Sequence, residues 1–442
     1  PCLPVSRRAL RPAPAPLLYR KPACGTTTPM PRYLSEQTPL AHPPLLGACS
    51  ALGCGRQRPP GRRAFSPYHI RLFIPLLFFL LSAVPAGSAA AADSYQVGFR
   101  TLGQWSADTN LRLDVNIWYP SLRPPRELNY APWTIAAARN GKPVEGRFPL
   151  LLLSHASPGT RFSYHDTAAW LASCGFVVAA PTHSQDCMDN MSLLFTWRQL
   201  ETRAKELSST IDLLLADQEL AASIDKNRIG LLGFGTGGTA ALLLGGALPD
   251  CASWPEYCAK AGRRDMYCNR WARDRVNAIC QSLPLTESLA DPRIKAVAAA
   301  APGFGMLFSP ASFRYFYPPL LLIAAESDVM NRPSLHADAI ARLLNGKARY
   351  LSLPGADTGA LMSPCPEALA AELPELCRSV SPEERRAIHR HMDDALSDFF
   401  LHVLGSGKNL PVIPPPPDLT PPPPPAPQLP APAPRPRQHR SR

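Results

Sequence analysis

The sequence predicts an α/β protein: one mostly parallel central sheet, helices on both faces and a Cys-rich insertion. Three observations carry that expectation. Near-continuous apolar runs alternate with segments of helical period, as strands buried on both faces require. Charge and proline collect at the two ends of the chain and leave a neutral middle. Eight of the 12 cysteines fall in that middle, four of them between Cys251 and Cys280.

The chain has 442 residues and a formal net charge of +12. Residues 1–70 hold ten Lys+Arg and one acid, and residues 411–442 hold four and one, so the middle has no net charge. That excludes a basic globular face of the kind nucleic-acid binding needs. With 45% hydrophobic residues overall, the middle can bury a full core.

Residues 1–70 are rich in Pro and Arg and show no sustained hydrophobic period. Such a stretch cannot bury enough apolar surface to offset its ordering entropy. It reads as a disordered leader or an upstream extension of the reading frame. Arg71 then precedes LFIPLLFFLLSAV, an apolar stretch of 13 residues, and the small-residue segment PAGSAAAAD. This is the pattern of a secretory signal peptide over residues 71–92, too short to span a bilayer comfortably. The expectation is a true start near Ile70, a mature chain from Asp93, no stable membrane span after cleavage, and a secreted or periplasmic location.

Residues 93–410 read as a single domain. Strands are expected at Leu111–Trp118, Phe148–Ser154, Gly175–Ala180, Arg228–Leu232, Ile294–Ala300, Leu320–Ala325 and Arg349–Leu353. Helices are expected at Tyr164–Ala172, Trp197–Leu215, Thr236–Leu244, Leu335–Leu344 and Pro382–Val403. Strand alternating with helix implies parallel pairing, with functional residues at the carboxyl ends of strands. Residues 250–290 form the insertion. An even number of cysteines behind a signal peptide favours disulfides, with roughly a hundred connectivities open. Cys251–Cys280 read as a locally stapled unit, and Cys365 with Cys377 closes a short loop. The spacings match no zinc site, and no metal or other cofactor is expected. Residues 411–442 hold 15 prolines. They read as an extended polyproline tail, a solvated spacer or a ligand for a groove on a partner protein.

The chemistry centres on RIGLLGFGTGGTAALLL: a strand, a glycine-rich turn and a helix. Gly233 and Gly237 take the glycine positions of a G-x-S-x-G nucleophile elbow, and Gly235 takes the nucleophile position. The same turn fits a dinucleotide G-x-G-x-x-G. Against that, the strand comes late, and the Cys-rich insertion follows where an acidic residue is expected.

Further segments agree with the elbow. FPLLLLSHASPG, Phe148–Gly159, resembles the strand and loop that supply half of an oxyanion hole. YHDTAAWLASCGFVVAAPTH, Tyr164–His183, resembles the helix and strand after it. PLLLIAAESD, Pro319–Asp328, ends a strand with an acid. Over Tyr95–Leu404 the chain resembles the secreted dienelactone-hydrolase-like group of the α/β-hydrolase superfamily, near the platelet-activating-factor acetylhydrolases. The resemblance implies the α/β-hydrolase fold, carboxylic ester hydrolysis, Asp328 as the triad acid, and the backbone N–H groups of Ser157 and Thr236 as oxyanion-hole donors. The segment that carries the family's catalytic histidine reads PGADTGALMSPC here, and the histidine position falls on Thr358.

Two triad positions are therefore substituted. Glycine has no side chain to attack a carbonyl, and threonine cannot take a proton near neutral pH. Loss of the serine or histidine of such a triad costs on the order of a millionfold in kcat. Glycine at the elbow relieves backbone strain, because it reaches positive φ freely. Thr236 should point away from the reacting position. Ser154 and His155 are expected to be packed and hydrogen-bonded. His183 could line a pocket or cap a loop, and His336 should be packed or solvated. Asp328 could persist as a turn cap, with Glu326 a second, less well placed acid. Tyr315, Phe316 and Tyr317 could wall a pocket or pack in the core. The expected function is binding of a small acyl or ester-like ligand by a hydrolase-fold protein without turnover. The alternatives are an active esterase or lipase with a nonstandard nucleophile, and an interaction protein whose tail does the work.

Overall fold

The computed structural model describes residues 94–105, 111–282 and 288–405. The leader, the signal segment and the Pro-rich tail lie outside the described residues.

The first half of the fold runs β1 (Gln96–Trp105), β2 (Arg112–Ser121), β3 (Arg126–Tyr130), β4 (Trp133–Arg139), β5 (Phe148–Ser154), α1 (His165–Ser173) and β6 (Val177–Pro181). Then come α2 (Trp197–Ala216), α3 (Gln218–Ser223), β7 (Ile224–Phe234) and α4 (Thr236–Leu244). The insertion supplies α5 (Trp254–Ala261) and α6 (Arg270–Ser282). The chain finishes with β8 (Ile294–Ala300), β9 (Leu320–Ala325), α7 (Ala337–Leu344), β10 (Ala348–Leu353), α8 (Glu367–Glu372), α9 (Pro374–Cys377) and α10 (Pro382–Leu404).

The strands form one ten-stranded sheet in the order β10-β9-β8-β7-β5-β6-β2-β1-β4-β3. From β10 to β6 every pairing is parallel, and β2 runs antiparallel to both β6 and β1. Without the β3–β4 hairpin at the edge, this is the strand order of the α/β-hydrolase fold. All residues of β6 and β9 are buried, as two covered faces demand. One hydrophobic cluster packs α2, α4 and α7 on one face, and a second packs α1 and α10 on the other.

Local chemistry fixes the helix starts. The Thr196 hydroxyl accepts from Gln199 N–H at α2. Ser381 and Glu384 form a capping box at α10, with Pro382 in the first turn. The central strands and five helices match their expected positions within a few residues. β1, β3, β4 and the helices of the insertion had no clear period. Cys251–Cys280 and Cys365–Cys377 are bonded, and Cys258–Cys268 closes a third loop. The even count does not carry through: Cys174 and Cys187 are free thiols.

Candidate functional site

The elbow is built by close backbone approach. β7 ends at Phe234, and Gly235 turns the chain into α4 with φ +55° and ψ −122°. The Gly235 N–H donates to Ala300 O at 2.9 Å, and its carbonyl accepts from Gly238, Thr239 and Gly303. An ideal Cβ on Gly237 would lie 2.2 Å from Ser154 O, so only glycine fits there. At Gly235 itself the nearest contact of such a Cβ is Ala156 Cβ at 3.1 Å, followed by Asn331 Nδ2 at 4.0 Å. The reacting position thus faces the loop after β5 and the loop after β9.

Asp328 lies just beyond β9 and Thr358 just beyond β10, at the carboxyl ends of neighbouring strands. The structure brings them together: Thr358 Oγ1 donates to Asp328 Oδ2 at 2.5 Å. Asp328 Oδ1 accepts from Met330 N–H at 2.8 Å and Asn331 N–H at 2.9 Å, which is the turn-capping role. Burial pushes the Asp328 carboxyl up, against the pull of Thr358 and those two N–H groups. No imidazole stands between Asp328 and Gly235 at the Thr358 position. Glu326 is exposed and makes no contact with this group.

The loop carrying Thr358 is anchored from α10. Arg385 donates to the carbonyls of Gly359, Met362 and Cys377, and His389 Nε2 to Ala360 O at 2.9 Å. His389 Nδ1 lies 2.8 Å from Asp166 Oδ2, an ion-pair approach whose angle falls short of a hydrogen bond.

Ser157 and the rest of the loop after β5 rest on a buried polar network. Arg203 Nε donates to Asp186 Oδ2 at 2.6 Å, and its Nη1 donates to His155 O at 2.6 Å and to Ser154 Oγ at 3.3 Å. Ser154 Oγ lies 2.8 Å from His183 Nε2, and His183 Nδ1 lies 2.7 Å from Glu206 Oε2. With Nδ1–H donating to the Glu206 carboxylate, Nε2 of the neutral ring is the acceptor, and the Ser154 hydroxyl donates to it. His155 Nδ1 bonds Ala156 O, and its Nε2 accepts the His183 N–H at 3.1 Å. The Ser157 hydroxyl donates to Asp186, and Gln199 Nε2 donates to the other Asp186 oxygen at 2.7 Å. Burial, with help from Arg203, holds both histidines well below the ordinary imidazole range.

Ser154 and His155 are therefore packed and bonded, as expected. His183 is buried inside this network. His336 is also packed: Gly305 N–H donates to its Nδ1, and its Nε2 lies 2.9 Å from Tyr257 Oη. Tyr315, Phe316 and Tyr317 require a correction. They precede β9, at the end of the strands away from Gly235, and Tyr317 is 80% exposed. None of them walls the site; Tyr315 and Tyr317 are exposed, whereas Phe316 is partly buried and packs against the core, as one of the two alternatives had it. Thr236 is buried in the first turn of α4.

Sequence reading missed Asp186, Arg203 and Glu206, which no motif marks. It also missed Asn331 and Tyr267 beside the elbow. The one signal for Tyr267 is its place next to Cys268, whose disulfide to Cys258 pins the insertion there. A cavity of about 630 Å³ opens on the insertion, lined by Arg263, Arg270 and Arg273 among others; none of the elbow, acid or histidine positions lines it. Among the described residues no group of three or more His, Cys, Asp or Glu is placed to hold a metal ion, and no helix is long and apolar enough to cross a membrane.

No family model matches the chain, and no curated protein matches it. Among solved structures it is similar to a ferulic acid esterase from Streptomyces cinnamoneus, with a TM-score of 0.47 and 17% identity, over 72% of this chain and 92% of that one. A likeness of that size carries no argument about chemistry. The strand order and the elbow between β7 and α4 make the chain a protein of the α/β-hydrolase fold.

Proposed function

We propose that this chain is a hydrolase-fold protein of the dienelactone-hydrolase-like type that binds a small acyl or ester-like ligand without efficient turnover. The observation that carries the reading is Gly235, which holds the elbow backbone at φ +55° with no side chain to attack. Thr358 in contact with Asp328 supports it, because a hydroxyl cannot relay a proton as imidazole does. What remains is a pair of N–H donors, at Ser157 and Thr236, which can polarise a carbonyl but give only weak catalysis alone. Three disulfides favour an oxidising compartment, secreted or periplasmic.

The test is hydrolysis of p-nitrophenyl acetate and butyrate by the purified full chain, beside the double variant Gly235→Ser, Thr358→His. The native chain should match buffer, and the double variant should rise above it. Native turnover well above buffer would overturn the reading.

A second reading, an active carboxylesterase or lipase-type hydrolase with a nonstandard nucleophile, has one observation in its favour. Ser154, His183 and Glu206 are bonded in series like a nucleophile, base and acid. Against it, the Ser154 side chain is fully buried. A fluorophosphonate probe mapped to Ser154 by mass spectrometry would select this reading, and an unlabelled protein would dismiss it.

A further inference from the structure

Asn331 stands beside the empty reacting position, and its amide orientation is fixed. Phe304 N–H donates to Tyr267 Oη at 3.2 Å, so the Tyr267 hydroxyl hydrogen turns outward and reaches Asn331 Oδ1 at 3.1 Å. Oδ1 is therefore the acceptor, and Nδ2 is the donor on the other side of the amide. That Nδ2 lies 4.0 Å from where a Gly235 Cβ would stand. Asn331 is only 7% exposed, and among the described residues no hydrogen bond takes up its Nδ2. That amide nitrogen is not among the buried side-chain atoms left without a partner, so it opens to solvent, where a water or a ligand can take its hydrogens.

Other donors converge there. α4 is a nine-residue helix whose N-cap is Gly235, and no side chain caps it. The Gly235 carbonyl takes the Gly238 and Thr239 N–H groups, which leaves those of Thr236 and Gly237, with the positive end of the helix dipole, at this end of α4. The N–H of Ser157 lies on the facing loop. The carboxylate that would repel an anion, Asp328, has both oxygens engaged by Met330, Asn331 and Thr358.

We infer that the Gly235 position is a carboxylate-binding subsite. Asn331 Nδ2, with the N–H groups of Thr236 and Ser157, holds the carboxylate of a small aliphatic acid where a nucleophile would stand. This rests on reading Gly235 as an elbow that lacks its nucleophile. It goes further in naming the ligand: the free acid rather than the ester. The Cys-rich insertion gains a role, because Tyr267 sets the direction of the amide.

Calorimetric titration of sodium butyrate into the full chain tests it, with butyramide as the neutral isostere. Butyrate should bind saturably, and butyramide at least about tenfold more weakly, since a charged acceptor strengthens each hydrogen bond. Asn331→Asp replaces the donor by a like charge and should weaken butyrate more than about tenfold. Tyr267→Phe leaves the amide free to turn and should weaken it several-fold. Gly235→Ala puts a methyl in the subsite and should also block it, which covers the case in which Asn331→Asp does not fold. Butyramide binding as well as butyrate would overturn the inference. So would an Asn331→Asp protein that melts like the native chain and binds like it. The two failures separate cleanly. Hydrolysis of esters by the native chain overturns the loss of turnover, whereas a hydrolytically silent chain that ignores butyrate overturns the subsite alone.

Discussion

Two regions meet at the carboxyl ends of the central strands, and they differ in completeness. Beneath the loop after β5, Arg203, Asp186, Ser154, His183, Glu206 and Gln199 are bonded to one another and to the loop backbone. At the reacting positions, Gly235 offers no atom and Thr358 offers a hydroxyl that only caps Asp328. The support is fully bonded, whereas Gly235 carries no side chain and Thr358 no imidazole. The shape of the loop therefore does not depend on either position. Its shape comes from a charged network that is costly to bury and is stable only when every partner is present.

The largest expected effect breaks that network. Arg203→Met keeps the volume and leaves Asp186 buried without its cation. Removing one member of a buried pair costs about 3–5 kcal/mol. A urea midpoint should fall accordingly, with little change in slope. A loss below about 1 kcal/mol would mean that the network is ornamental and that the contrast with the elbow has no energetic content.

The elbow itself sharpens the comparison at smaller scale. Gly237→Ala drives a methyl against Ser154 O, where neither backbone can retreat, and should cost about 2–3 kcal/mol. Gly235→Ser meets only Ala156 Cβ at 3.1 Å, but its φ of +55° is strained for an L residue, so about 1–2 kcal/mol is expected. Equilibrium unfolding of both variants checks the order. If Gly235→Ser were the more damaging, the position would be shaped around glycine by packing, and a lost nucleophile would be the wrong description.

The parts legible in the sequence were those with short-range signatures. Continuous apolar runs marked β5, β8 and β9 to the residue, because both faces of those strands are covered. The elbow glycines marked the turn, since no other residue fits at Gly237. β1 was missed because no residue of it after Phe99 is buried, so no apolar run marks it. The network was missed for a different reason. Ser154 and Glu206 lie 52 residues apart in the sequence, and only the parallel packing of β5 and β6 under α2 joins them through His183. Asn331 next to Gly235 likewise follows from the adjacency of two crossover loops. The tyrosines at 315 and 317 misled because aromatic residues before a strand read alike whichever end of the sheet they occupy.

The smallest expected effect concerns protons, and it separates the two supports of the site. Burial first, and then Arg203, hold His155 and His183 under the loop after β5 well below the ordinary imidazole range. In the unfolded chain they would take up protons as pH falls below about 6.5, so this support weakens on acidification. Asp393, on α10 one turn beyond the His389 that anchors the Thr358 loop, behaves the other way. Burial first, and then the neighbouring Asp166, push the Asp393 carboxyl up to about 7, while Thr167 Oγ1 donates to it at 2.8 Å. The unfolded carboxyl ionises near pH 4. Between about pH 4 and about pH 7 the folded chain thus keeps a proton that the unfolded chain has released, and stability falls as pH rises. Asp393→Asn removes that slope. Relative to the native chain, the variant should gain on the order of 2 kcal/mol between those limits, read from urea melts at several pH values. A constant difference would show that Asp393 is ionised throughout. The two supports would then no longer differ in kind, and the contrast between the bonded loop after β5 and the Gly235 and Thr358 positions would rest on geometry alone.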